Sequence, residues 1–404
     1  MRIVYATQAA FPDDSAGSNR MRGVIAALES AGIEVVVAGA QAAGPSGAGG
    51  ATTATEVVGV GDQAQQRLRA LRGVHALVAG SGLVDWLERE AGDIDAVLMY
   101  QGGMSYTARL QRWSRAHGIP VAIDSVEWFD TSHVALGRWG PFAADSEVSM
   151  RWGYPAVGNV MAISQFLADH FEGAGANVVR VPPILEVSEM SPRLDLARED
   201  HAGDVRTLVY AGSPGRKDLL PLVVQAVGEH DPQGRRLRLR VAGPSVEEVR
   251  TIMRGAGIGA DCPAIVPLGR ITPDDVRREV RDADFTVLVR QPERYAIAGF
   301  SSKVPESLAL GTPVIATVTT ELARYLRHGL EAVVLASASV SAMKESLAQI
   351  DSLTDVEMAA MRVRAREQAV RSFEASTYGP QLADWFSSLE VRAGWPSRAR
   401  SGSR

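Results

Sequence analysis

The chain has 404 residues, 46% of them apolar and 22% charged, with a net charge of −5 and a pI near 5.9. That length suits about two to three domains with ample core, and the acidic balance argues against nucleic acid as the main partner. The single cysteine, Cys262, excludes an intramolecular disulfide and a cysteine-rich metal site.

Met1 to Thr7 lacks the long apolar run of a signal peptide and reads as a first β-strand. No stretch reaches the ~20 apolar residues of a transmembrane helix, so a cytoplasmic protein is expected. Arg67, Arg69 and Arg72 on one predicted helix leave peripheral membrane contact at the inner face open, beside the plainer reading of a solvated helix face.

Short β-branched runs predict strands near 2–6, 34–38, 56–60, 95–99, 120–124 and 160–163. Between them, apolar periodicity predicts helices at 18–32, 64–79, 83–91, 105–117 and 164–173. Such alternation specifies a parallel sheet covered by helices. Residues 40–55, rich in Gly, Ala and Thr, have few anchoring side chains and predict a mobile loop. Gly17 and Ser18 open the first helix, where backbone N–H groups can meet an anion or a sugar; an ordinary capped turn accounts for them equally. Asp124 and Glu127 follow the fifth strand, and strand carboxyl ends line the crevice in such sheets. At least one of the two is expected to face ligand, with Asp124 better placed.

The stiff Val181-Pro182-Pro183 and the polar residues 186–205 predict an interdomain linker. A second series follows: strands at 206–211, 237–242, 264–267, 284–289, 313–317 and 332–335, with helices at 217–229, 245–256, 273–281, 304–310, 319–327 and 339–350. A helix from Val356 to Glu374, a break at Gly379-Pro380 and a last helix from Gln381 precede a basic, frayed tail. The fold class is therefore α/β: two doubly wound, Rossmann-like domains facing across a cleft. The domains are 1–183 and 206–375, joined by a linker at 184–205, with a helix at 376–392 and a tail at 393–404.

Three stretches of the second domain carry chemistry. Gly212-Ser213-Pro214-Gly215 leads into Arg216-Lys217, two cations at a predicted helix start, where the macrodipole disfavours them unless an anion is bound. Arg290 ends a buried strand, where a charged side chain either pairs with a carboxylate or holds a ligand. Gly299-Phe300-Ser301-Ser302 runs into a short helix bearing Lys303 and Glu306, before Gly311-Thr312-Pro313 and the strand Val314-Ile315-Ala316. Backbone N–H groups and Lys303 suit a diphosphate, and Glu306 can accept from two vicinal ribose hydroxyls. The histidines show no i,i+4 pair, so no metal-ligand spacing is present.

In order and spacing these blocks, with Val241-Ala242-Gly243-Pro244, Leu268-Gly269-Arg270 and Ala283-Asp284-Phe285, resemble the retaining family-4 glycosyltransferases of the GT-B fold over roughly residues 1–390. The resemblance implies transfer of a sugar from a nucleotide diphosphate sugar (UDP- or GDP-linked) with retention and without a bound metal or permanent cofactor. It implies an acceptor domain first, a donor domain second and a last helix crossing back to the first. The acceptor would be a glycan, a lipid-linked or a small molecule, in polysaccharide, cell-envelope or secondary-metabolite synthesis. By position Lys217 would bind the diphosphate with Arg216 beside it, Glu306 would hold the ribose, Lys303 could reach the phosphates and Gly17 would lie near diphosphate and acceptor. The chain departs from the pattern at Ala298, where the first Glu of the family's Glu-x7-Glu motif stands, and at Ser213 and Asp124, which replace an Arg and a His. Arg290 would restore the missing cation, and the loop 295–302 would meet the sugar through its backbone. A nucleotide-binding protein without transferase activity and a sugar-nucleotide epimerase stay open as alternatives.

Overall fold

The computed structural model describes residues 1–9, 11–13, 15–39, 55–60, 80–129, 140–194, 205–212 and 217–392. Residues 40–54 of the predicted loop 40–55, helix 64–79 with its three arginines, Ser213, Arg216 and the tail 393–404 lie outside the described residues. Contacts divide the chain into two units, one of Met1–Pro182 with the segment from Ala375, the other of Pro183–Glu374.

The described strands of the first unit are β1 (Arg2–Ala6), β2 (Glu34–Gly39), β3 (Glu56–Gly59), β4 (Ala96–Tyr100), β5 (Val121–Ser125), β6 (Asn159–Ala162) and β7 (Asn177–Arg180). They form one parallel sheet in the order β3-β2-β1-β4-β5-β6-β7. Ile3, Val4 and Tyr5 of β1 are all buried, as are Val97 and Leu98 of β4. Continuous apolar runs of this kind mark strands covered on both faces. Helix Ala16–Ser30 begins at Ser15, whose hydroxyl caps the Ser18 N–H. Helix Ala375–Ser387 packs on it, and Gly379 allows the approach, since a Cβ there would stand 2.6 Å from Ser30 Oγ and 2.7 Å from the Ala27 carbonyl. Pro380 sits inside this helix rather than breaking it, as the burial of Leu382, Trp385 and Phe386 offsets the missing hydrogen bond.

The second unit holds β8 (Arg206–Ala211), β9 (Leu237–Ala242), β10 (Ile265–Gly269), β11 (Phe285–Leu288), β12 (Val314–Ala316) and β13 (Ala332–Val334). These pair in the order β10-β9-β8-β11-β12-β13, again all parallel. Its covering helices carry local start signals: capping boxes at Ser245/Glu248 and Thr354/Glu357, and Thr272 with Pro273, Asp274 and Asp275 in the next helix. Pro183 to Leu194, read from the sequence as linker, packs on this unit. Val187 is fully buried and the Leu185 N–H donates to the Phe373 carbonyl at 2.8 Å. Helix 319–327 reduces to a 3₁₀ turn at Leu322–Arg324.

In each sheet strand order reverses once, between β1 and β4 and between β8 and β11. Loops at the carboxyl ends of strands diverge at such a point and leave a crevice, which is where open α/β sheets bind ligands.

Candidate functional site

In the second unit the crevice is lined by the loops leaving β8 and β11. β8 ends at Ala211 and turns through Gly212 at φ 134°, a conformation L side chains rarely adopt. The helix that follows begins at Leu220, so Lys217 and Asp218 stand in the connecting loop and not in the helix's first turn. This corrects the expectation of cations at a helix N-terminus. Leaving β11, the Arg290 N–H donates to Thr317 Oγ1 at 2.9 Å, and that hydroxyl donates back to the Arg290 carbonyl at 2.7 Å. Arg290 is thereby fixed beside the exit of β12.

Asp218 organises the cations. Its carboxylate accepts from Arg290 Nε at 2.6 Å, from Lys303 Nζ at 2.5 Å and from the Tyr210 hydroxyl at 2.9 Å. Burial opposes its ionisation, but Lys303 and Arg290 outweigh burial and hold the carboxyl below the usual carboxylate range. Burial also raises the Tyr210 hydroxyl, as does the adjacent Asp218 charge. Lys303 Nζ lies over the Tyr210 ring, 4.6 Å from its centre, and threads past Gly212, where a Cβ would stand 2.7 Å from Lys303 Cε. Lys217 has Tyr295 beside it. The Tyr295 hydroxyl donates to the Lys217 carbonyl at 3.0 Å, and Lys217 Nζ sits 5.8 Å from the ring centre. Burial, then Arg290, lowers the Lys217 pKa against the pull of Asp218. Lys303 is lowered by burial, with Asp218 the main opposing group. Three cations thus meet the Asp218 carboxylate at the switch point, with Glu306 a second anion beside Lys303, which leaves a cationic excess suited to an anionic ligand.

Glu306 lies in the first turn of helix Lys303–Ala309, half-buried, with its charge favouring protonation of Lys303. Ser301 is buried and Ser302 half-buried before it, and Gly299 donates its N–H to the Tyr295 carbonyl at 3.1 Å. The Phe300 side chain packs edge-on against Tyr325 at 5.3 Å and Phe373 at 5.8 Å between ring centres. Ala298 closes helix Arg294–Ala298 fully buried.

The first unit arranges its candidates differently. Asp124, expected to face ligand, is fully buried. It accepts from the Tyr5 hydroxyl at 2.5 Å and from Arg20 Nε and Nη2 at 3.2 and 3.1 Å. Arg20 Nη1 goes on to the carbonyls of Val181, at 2.9 Å, and Pro182. The pair ties helix Ala16–Ser30 to β5 and to the exit of β7, a structural use that corrects the expectation for Asp124. Ser18 is likewise employed locally, donating to Asp13, whose carboxyl is held below its usual range because hydrogen bonds from Ser15 and Ser18 outweigh partial burial. Gly17 faces Tyr100 at the end of β4, where a Cβ would stand 3.2 Å from the hydroxyl. Glu127 is half-buried beyond β5, next to Trp128, whose Nε1 donates to Glu147 at 3.1 Å. Among the described residues no three His, Cys, Asp or Glu side chains gather as metal ligands, and no helix is long and apolar enough to cross a membrane.

Sequence reasoning placed Lys217, Arg290 and Lys303 in one site but passed over Asp218 and Tyr210, which join them. The only signal was Asp218 itself, the residue that follows Lys217 in the sequence.

Residues 205–351 match the family model for glycosyl transferases group 1, and residues 16–184 match the glycosyl transferase 4-like domain. Solved structures of the same architecture include Anabaena HepE in complex with UDP and glucose, at 13% identity and TM-score 0.67, over 96% of this chain and all of that one. Sucrose-phosphate synthase from Thermosynechococcus elongatus matches at 12% identity and TM-score 0.67, covering 96% of this chain and 98% of that one. AviGT4, a glycosyltransferase involved in avilamycin A biosynthesis, matches at 17% identity and TM-score 0.60, over 98% of this chain and all of that one. No curated protein matches the chain. With a glycosyltransferase domain matched in each unit, the chain is a glycosyltransferase of the GT-B fold.

Proposed function

We propose that the protein is a retaining, metal-independent transferase that takes its sugar from a nucleoside diphosphate sugar. UDP is the first candidate, because the similar HepE was solved with UDP and with UDP-glucose; GDP is the alternative. The convergence of Lys217, Arg290 and Lys303 around Asp218 at the switch point of the second sheet carries this reading. As the bond from the anomeric carbon to the β-phosphate oxygen breaks, negative charge grows on that phosphate. The three cations sit where they can absorb it, each charge-assisted contact contributing about 1.5–3 kcal/mol. The acceptor hydroxyl attacks the same face of the sugar and gives its proton to the departing phosphate oxygen, so no separate base is needed. Glu306 accepts from the ribose hydroxyls. A glycan, a lipid-linked molecule or a small natural product serves as acceptor, bound by the first unit. Lys217→Ala is expected to lower kcat/KM for the donor about a hundredfold; an unchanged value removes Lys217 from the site.

One observation favours a second reading. Ala298 puts a buried methyl group where the resembling family has a carboxylate for the donor sugar. A protein that binds nucleotide without transfer would give a calorimetric UDP signal with neither donor hydrolysis nor product.

A further inference from the structure

Resting on that reading of the site, we propose that Asp218 is its positioning residue: one carboxylate locks the ammonium of Lys303 and the guanidinium of Arg290 in the geometry that receives the diphosphate. Both oxygens are engaged, Oδ1 by Arg290 and Oδ2 by Lys303 and the Tyr210 hydroxyl, and the side chain is 4% exposed. Its cationic partners lie 72 and 85 residues away in sequence, so this side chain joins the exits of β8 and β11 to the first residue of helix Lys303–Ala309. Other features confine Lys303 to the same place. The Tyr210 ring lies under its ammonium, and Gly212 leaves the space its side chain crosses. Long, flexible side chains lose considerable rotamer entropy when they bind a ligand, and a lysine held beforehand avoids that cost.

An opposing effect decides the experiment. Asp218 also subtracts one charge from the cluster, so its removal would strengthen a diphosphate complex if bulk charge governed binding. Positioning gives the reverse sign. A second consequence concerns protonation. The charged and titratable groups facing Lys303 are Asp218 and Tyr210 on and after β8, Arg290 after β11, and Glu306 on its own helix. Burial and Arg290 favour loss of its proton, and Asp218 is first among the groups that retain it. Without Asp218 the Lys303 pKa falls, so the proton, and with it the diphosphate contact, is lost at lower pH.

The test is UDP calorimetry across pH on wild type, Asp218→Asn, Asp218→Glu, Lys303→Met and the Asp218→Asn/Lys303→Met double variant, with thermal melting of each. Asp218→Asn is expected to bind UDP about tenfold more weakly, with the alkaline fall in affinity moved to lower pH. In the Lys303→Met background the same substitution should cost clearly less than in wild type, because only the part of its effect that runs through Arg290 remains. Asp218→Glu, which keeps the charge, should recover part of the loss. Tighter UDP binding by Asp218→Asn, or an equal loss with and without Lys303, overturns the positioning role. If Asp218→Asn fails to fold, the double variant, which also removes a stranded buried cation, decides: UDP binding tighter than in Lys303→Met alone, the sign that bulk charge dictates, refutes the proposal. Wild type binding neither UDP nor GDP would instead refute the donor site itself, so the two failures are distinguishable.

Discussion

Gly212→Ala probes the site at its tightest point. Gly212 sits at φ 134°, and a Cβ built on it falls 2.7 Å from Lys303 Cε and 2.8 Å from Nζ. Carbon contacts settle at roughly 3.5–4.0 Å, so the Lys303 side chain must withdraw by about 1 Å. Its 2.5 Å contact with Asp218 then stretches towards ~3.5 Å, beyond hydrogen-bonding range. Two costs follow. The backbone loses about 1–3 kcal/mol from holding a side chain in that φ region. The displaced lysine forfeits a charge-assisted contact of about 1.5–3 kcal/mol, which converts to a roughly 10- to 150-fold loss of UDP affinity. Urea denaturation reads the first cost and calorimetry the second. Gly257→Ala is the control, since Gly257 has φ 73° but nothing within 4 Å of a Cβ. It should lower stability and leave UDP binding intact. Full UDP affinity in Gly212→Ala would refute the placement of Lys303 in the donor site.

Two further variants separate architecture from chemistry. Asp124→Asn removes the charge partnering buried Arg20, and breaking a buried pair in this way costs about 3–5 kcal/mol. Urea midpoints should fall accordingly, with UDP affinity of the folded protein unchanged; a loss below about 1 kcal/mol contradicts the structural role given to Asp124. Gly379→Val overpacks the contact of helix Ala375–Ser387 with helix Ala16–Ser30, where the first added carbon already stands 2.6 Å from Ser30 Oγ. A loss of about 1–3 kcal/mol with earlier proteolysis of the C-terminal helix is expected, and an unaltered melting temperature counts against that packing.

The alternation of strand and helix was legible in the sequence because buried parallel strands read as apolar runs, as in Ile3-Val4-Tyr5 or Phe285-Thr286-Val287-Leu288. β7 escaped notice because four residues at a sheet edge, only Val179 of them buried, carry too little pattern. Pro380 read as a break because local propensity is visible in one segment while the packing that overrides it is not. The same limit shaped the sites. Arg290 and Lys303 stood out as cations beside buried strands, but the carboxylate joining them was hidden by separations of 72 and 85 residues. Asp124 looked ligand-facing because strand ends line crevices, yet its partner Arg20 lies 104 residues earlier and turns it inward. Where chemistry depends on which distant charge a side chain meets, a motif names the residues without their pairing.

Titration of UDP into wild type and Lys303→Met tests the central claim most directly. Saturable binding by wild type, weakened at least tenfold in a Lys303→Met protein that melts as a folded one, is the expected result. No binding of UDP or GDP by wild type, or equal affinity in both proteins, would contradict a diphosphate site built on Lys217, Asp218, Arg290 and Lys303.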